Sequence, residues 1–238
     1  MRDVIDDLRV FDPTDEAAQL QSVLRLVSTG ASVVDLGAGG GRIARPLAES
    51  GRSVLAVDHS NDALALNSWS DRDGIEPLHE DFLASSSTWQ SRGPFEVALC
   101  LGNTAALVLE HETMRALFER VSRSLRPDGV FLLDDFPVWG WEAVHAGDWP
   151  TGVSEDGSSQ LVWVPGEPVF AFRRDQEVDP NTPEIVAGDR LLRLWSLSEL
   201  SFLANMSGFQ PPRHDPAGLM LIFERAPESD GTRGCFEM

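Results

Sequence analysis

Between Thr29 and Asp135, short apolar runs rich in β-branched residues alternate with segments whose apolar residues recur every three or four positions. Strands covered on both faces are apolar throughout, whereas the helices that cover them need one apolar stripe, so this alternation predicts βα units around a parallel sheet. The runs Ser32–Leu36, Ser53–Asp58, Ile75–His79, Phe95–Cys100 and Val130–Asp134 are predicted strands. Helices are predicted over Arg42–Ser50, closed by Gly51, over Asn61–Trp69, and over Glu112–Leu125. In the last of these Met114, Leu117, Phe118, Val121 and Leu125 share a face, and Pro127-Asp128-Gly129 stops it.

After Pro137 the period shortens to two, with predicted strands at Gln160–Val164, Pro168–Arg174 and Arg190–Trp195 separated by Gly, Pro, Asp and Ser. This reads as a small antiparallel insert. Ser196-Leu197-Ser198-Glu199 is a capping box that opens a helix closed by Gly208, and Gly218–Arg225 is a last strand. One domain is expected, divided into an N-terminal helix or lid (1–28), a core (29–136), an antiparallel cap (137–195), a closing helix and strand (196–226) and a loose tail (227–238). Val10-Phe11-Asp12-Pro13, ahead of the first helix, is either a lid segment or a frayed end.

Composition narrows the chemistry. A 238-residue chain buries roughly 70–75% of its unfolded surface, so its core needs no disulfide or metal. The net charge is -19, the pI about 4.5, and all 19 basic residues are Arg. Such a surface repels phosphate backbones, so no nucleic-acid partner is expected. The absence of Lys and Tyr excludes Schiff-base, P-loop lysine and phenolic acid–base chemistry. Cys100 and Cys235 lack metal-ligand spacing, so no metal site is expected. No run approaches 18 apolar residues and acids interrupt the N-terminus, so no membrane association and a cytoplasmic location are expected.

The most informative stretch is Val33-Val34-Asp35-Leu36-Gly37-Ala38-Gly39-Gly40-Gly41-Arg42, a strand that enters a helix through four glycines. Glycines there let the backbone approach a ligand closely and present amides at a helix start. A G-x-G-x-x-G dinucleotide fingerprint would need glycine where Arg42 stands. The D-x-G-x-G-x-G spacing instead resembles motif I of the class I S-adenosylmethionine (SAM)-dependent methyltransferases. Asp58 ends the second strand, where a carboxylate can accept two ribose hydroxyls. Glu80-Asp81-Phe82-Leu83 follows the third strand and Leu101-Gly102-Asn103-Thr104 the fourth, at the positions where this family contacts adenine and lines the methyl donor.

The resemblance covers roughly Val33 to Asp135 and is nearest to the glycine and sugar-amine N-methyltransferase branch. It implies a doubly wound α/β fold with a seven-stranded, mostly parallel sheet and a small antiparallel β cap. It also implies SAM as cofactor, held by Asp35, Gly37, Ala38, Gly39, Gly41, Asp58, His59, Asp81, Phe82, Leu101 and Gly102. The catalytic candidates are Asn103 beside the methyl donor, His111 at a helix start, and Asp134 and Asp135 at the end of the fifth strand. Asp134, Asp135 and Glu142, with Trp139 and Trp141, form either an acidic aromatic pocket for an amine or a solvated loop that fastens the insert. The expected reaction is methylation of an amine on a small molecule or short peptide. O-methylation of a hydroxyl or carboxylate, and SAM binding without turnover, remain open alternatives. The oligomeric state is not legible.

Overall fold

The computed structural model describes residues 13–65, 74–134, 152–154, 156–163 and 167–227. Helix α1 (Pro13–Leu26) precedes β1 (Ser32–Leu36), α2 (Ala44–Glu49), β2 (Ser53–Asp58), α3 (Asn61–Ala65) and β3 (Ile75–His79). Then follow β4 (Phe95–Cys100), α4 (His111–Ser124) and β5 (Leu125–Asp134). A second group comprises β6 (Ser159–Trp163), β7 (Val169–Arg174) and β8 (Leu191–Arg193), after which α5 (Leu197–Met206), β9 (Arg213–His214) and β10 (Met220–Glu224) close the chain.

The main sheet has seven strands in the order β3-β2-β1-β4-β5-β10-β9. The first five are mutually parallel; β10 runs antiparallel to β5 and β9 antiparallel to β10. Because side chains alternate across a strand, both faces must be covered. Val34, Leu36, Leu55, Val57, Cys100, Phe131 and Leu133 join one core with α4 and α5. Val33, Val54, Ala56, Val97, Leu99 and Leu132 join a second with α1 and α2. The predicted face of α4 is the buried one, and Phe118 meets Phe131, Phe209 and Phe223 edge-on at 5.4, 5.8 and 5.0 Å between centroids.

The seven-stranded sheet and the separate antiparallel sheet agree with the expected fold class. Most bounds differ by one or two residues, and the largest difference lies where α4 meets β5. Helix α4 stops at Ser124, one residue early, and β5 begins at Leu125 instead of Val130. Pro127 disfavours helical backbone at Arg126, and pairing slips between Phe95↔Leu125 and Val97↔Val130, so the Pro-Asp-Gly segment is taken up within the strand. The seventh strand, β9, has two residues and is too short to carry a period.

The second sheet, in the order β6-β7-β8, is antiparallel throughout. Trp163 of β6 stacks on Phe170 of β7 at 5.5 Å. Buried Arg173 bonds both carboxylate oxygens of Asp189 and the carbonyls of Thr182 and Glu184, fastening the loop between β7 and β8. Phe170, Leu192 and Leu194 pack on Ala106, in the short turn Thr104–Leu107 that follows β4. The small sheet therefore rests on the segment that leaves the fourth strand. Among the described residues no helix is long and apolar enough to cross a membrane. Asp135, Trp139, Trp141 and Glu142, and the predicted helix beyond Ala65, lie outside the described residues.

Candidate functional site

Strand order reverses between β1 and β4, which leave in opposite directions from the middle of the sheet. At such a switch point the loops diverge and leave a crevice at the carboxyl ends of the strands. The glycine loop occupies that place. Its first two amides, Gly37 and Ala38, donate to the Val57 carbonyl at 2.8 and 3.0 Å, which ties it to the end of β2. Gly37, Gly39 and Gly41 have φ of 79°, 52° and 77°, the left-handed region that favours glycine. A Cβ on Gly37 would stand 2.5 Å from Cγ2 of Thr104, so the β1 and β4 loops are in backbone-close contact.

Asp58, at the end of β2, is buried with one oxygen accepting from the Gly39 amide and the other from the Ser60 amide, both at 2.8 Å. Each carboxylate oxygen retains a further lone pair, so Asp58 both shapes the loop and keeps acceptor capacity. His59 beside it is exposed, with Nδ1 3.5 Å from Asp58 Oδ1. After β3, Asp81 turns the chain by accepting from the Leu83 amide at 2.8 Å, while Phe82 is buried and its carbonyl accepts from the Trp89 indole. After β4, Leu101 is buried, and Gly102 and Asn103 have φ of 77° and 63°. The structure thus brings Asp35, the glycine loop, Asp58, Asp81, Phe82 and the 101–103 turn to one edge of the sheet.

Asp134 closes that edge from below. The sequence suggests an acid at the mouth of the crevice, but only 2% of the residue is exposed. Its Oδ2 accepts from the Asn103 amide at 2.6 Å and its Oδ1 from Gln19 Nε2 at 2.8 Å. The last residues of β5 are paired on both sides and point their side chains into packed layers, so Asp134 holds the 102–103 turn instead of meeting solvent. His111 stands apart from this group. Its Nε2 lies 2.9 Å from Glu199 Oε1 and 3.0 Å from an Arg193 nitrogen, and its ring meets Trp195 edge-on at 5.3 Å. Trp195 donates to the Ala105 and Val108 carbonyls. His111 thus belongs to a cluster joining β8, α5 and the start of α4.

The electrostatics of the edge are those of buried acids. Burial pushes Asp35 up to about 7; Arg42 pulls it down, while Asp58 and Asp134 push it further up. Asp134 is also raised, by burial, against the opposing bonds from Asn103 and Gln19. Arg42 donates to Gln19 Oε1 at 2.6 Å. Sequence reasoning missed Gln19 altogether and used Arg42 only to exclude a dinucleotide fold. The available signal was a polar residue on the face of α1 that carries Val23 and Val27 to the core.

The doubly wound sheet with an antiparallel finish, and a glycine loop facing an acid at the end of β2, define the fold of the class I SAM-dependent methyltransferases. Residues 33–129 match a family described as a methyltransferase domain. Over 109 residues it is 38% identical to a cypemycin N-terminal methyltransferase from Streptomyces sp; the match covers 44% of this chain and 42% of that protein, so it spans less than half of either. A SAM-dependent methyltransferase from Clostridium acetobutylicum ATCC 824 superimposes with a TM-score of 0.62 at 12% identity, covering 92% of this chain and 93% of that one. The sugar N-methyltransferase KedS8 from Streptoalloteichus sp ATCC 53650 gives 0.60 at 16% identity, covering 95% and 93%.

SAM, the cofactor named for several of the similar structures, suits the residues present. The β1 loop turns through three left-handed glycines, one with no room for a Cβ, and the adjoining acid keeps acceptor capacity for hydroxyl donors. Asp35, Gly37, Ala38, Gly39, Gly41, Asp58, His59, Asp81, Phe82, Leu101 and Gly102 are the residues that would surround it. Among the described residues no cluster of His, Cys, Asp or Glu suits a metal ion.

Proposed function

We propose that this chain transfers a methyl group from SAM to an amine nitrogen of a small molecule or short peptide. The observation that carries the reading is Asp58, which is bonded to the Gly39 amide and retains lone pairs for a ribose. The glycine loop and the Leu101–Asn103 turn then line the donor end, with Asp81 and Phe82 toward the base. When bound, SAM supplies an electrophilic methyl that carries its own leaving group. What remains for the protein is to hold the acceptor in line and exclude water, and that positioning supplies much of the rate.

The choice of an amine is supported by the similarity to the N-terminal methyltransferase named above. The charge of -19 also favours a cationic acceptor, because a negative field raises its encounter rate. Such an amine must lose its proton before it can present a lone pair. His111 Nε2 lies against Glu199 and Arg193, and the Asp134 oxygens accept from Asn103 and Gln19. In this scheme the proton passes to solvent, and kcat rises with pH through the ionisation range of the bound amine.

Asp58→Ala is expected to weaken SAM binding ten- to a hundredfold by calorimetry, since hydrogen bonds to a charged acceptor contribute about 1.5–3 kcal/mol. Asp58→Asn, which keeps an oxygen for one hydroxyl, should fall between. Unchanged affinity in folded variants removes Asp58 from the site. Tandem mass spectrometry of products from a panel of amine, hydroxyl and carboxylate acceptors tests the second half. Methyl transfer confined to oxygen overturns the amine assignment and leaves the SAM assignment standing.

A further inference from the structure

Helix α1 lies outside the matched segment 33–129, yet one of its side chains bonds residues of both the β1 loop and the end of β5. Gln19 is 2% exposed. Its amide nitrogen donates to Asp134 Oδ1 at 2.8 Å, and its amide oxygen accepts from the Arg42 guanidinium at 2.6 Å. Asp134 in turn accepts from the Asn103 amide at 2.6 Å. Arg42 ends the glycine loop, and its guanidinium also reaches the Glu16 carbonyl of α1 at 3.5 Å and the space beside Gly102.

The chemistry at this point is unusually demanding. A half-buried cation and a buried carboxylate approach the same buried residue, and each needs a partner of opposite polarity. A primary amide provides one acceptor and two donors in a single plane and meets both demands. A carboxylate would serve Arg42 and oppose Asp134; an ammonium would serve Asp134 and oppose Arg42. Ser22, one turn further along α1, makes a separate bond to Asp215 Oδ2 at 2.6 Å, so the helix is pinned in place independently of Gln19.

We infer that Gln19 is a positioning residue for the SAM site, a bridge from α1 that sets the glycine loop through Arg42 and the Leu101–Asn103 turn through Asp134. The inference rests on the SAM reading proposed above. The two loops it joins already touch where Thr104 faces Gly37, so a small shift in either alters the space between them. The bridge needs Asp134 ionised, because both of its oxygens accept N–H bonds. The charged or titratable groups facing Asp134 are Arg42 from the glycine loop, Asp35 from β1 and Cys100 from β4. Of these only Arg42 favours its ionised form.

The test is SAM affinity by calorimetry from pH 6 to pH 9 for the wild-type chain, Gln19→Met and Gln19→Glu. Met keeps the volume and the helix but makes neither bond. Without the Gln19 donor Asp134 is harder to ionise, so Gln19→Met should bind SAM about tenfold more weakly than wild type at pH 9, with the deficit growing as pH falls. Gln19→Glu should show the reverse trend, weakest at pH 9 and recovering as pH falls, because a protonated Glu donates to Asp134 as the amide does. A packing role alone predicts a loss that does not depend on pH. Parallel pH profiles for the three proteins, wild-type affinity in Gln19→Met, or loss of the fold in both variants would overturn the inference. Failure of the wild-type chain to bind SAM would instead overturn the reading on which it rests.

Discussion

Gly37→Ala is expected to abolish measurable SAM binding, with a loss of at least a hundredfold, and to destabilise the fold by roughly 2–5 kcal/mol. Two costs add at this position. The backbone stands at φ 79°, where an L side chain costs about 1–2 kcal/mol. The new methyl would also lie 2.5 Å from Thr104 Cγ2 and 2.6 Å from its Oγ1, an overlap of the sort that costs typically 1–3 kcal/mol. Thr104 cannot simply swing away, because its hydroxyl bonds the Leu101 carbonyl at 3.0 Å and its Cβ is itself only 3.1 Å from the built atom. Relief therefore has to come from moving one of the two loops, and both line the proposed cofactor crevice.

The two costs separate in a double-mutant cycle. Thr104→Gly removes the overlapping atoms, so Gly37→Ala in that background should recover the steric part and retain the backbone part. The two effects on stability should then fall short of additivity by about 1–3 kcal/mol. Denaturant melts measure this directly. Full additivity would mean that the loops do not meet as described, and a Gly37→Ala chain that binds SAM normally would remove the β1 loop from the site.

The contrast between Gly37 and Gln19 indicates what a sequence exposes. The glycine loop was legible because its requirement is local: a strand must become a helix within a few residues, and only glycine tolerates the φ values that this takes. Asp58 was legible for a related reason, since it marks the end of a strand whose apolar run is unmistakable. Gln19, Arg42 and Asp134 depend instead on contacts between residues 23 to 115 positions apart. No local period records such a contact. Asp134 was recognised as an acid at the ligand-facing edge, but its inward direction follows from pairing with β4 and β10, which only the folded sheet supplies. His111 was read from its place at a helix start, whereas its partners come from β8 and α5, more than 80 residues later. β9 escaped because two residues cannot display alternation.

Asp35→Asn is expected to raise the stability of the cofactor-free protein above pH 7 while weakening SAM binding. Asp35 is buried within β1, and burial, reinforced by Asp58 and Asp134 and opposed by Arg42, holds its carboxyl near 7 against an ordinary value of 3.8. A group whose folded pKa lies above its unfolded value prefers its proton in the fold. Its stabilising contribution is fully present below pH 3.8 and is lost as pH rises through about 7. A difference of roughly three units corresponds to about 4 kcal/mol. Asn has the shape of the protonated acid and does not titrate, so the variant should keep that stability at pH 8, where the wild-type chain must bury an anion. At roughly 2–4 °C per kcal/mol for a chain of this size, the melting temperature at pH 8 should rise by about 8–16 °C, and the two curves should converge toward pH 4. The same anion lies at the sheet edge proposed to receive a cofactor with a sulfonium and an ammonium, and its loss should lower SAM affinity about tenfold. Stability given up at a binding edge for charge complementarity is a recognised exchange in enzymes. Thermal melts from pH 4 to pH 8.5 and calorimetry at pH 8 decide both halves. A variant no more stable than wild type at pH 8 would show that Arg42 already compensates the Asp35 charge, and a stabilised variant with intact SAM affinity would make Asp35 a residue of the strand and not of the site.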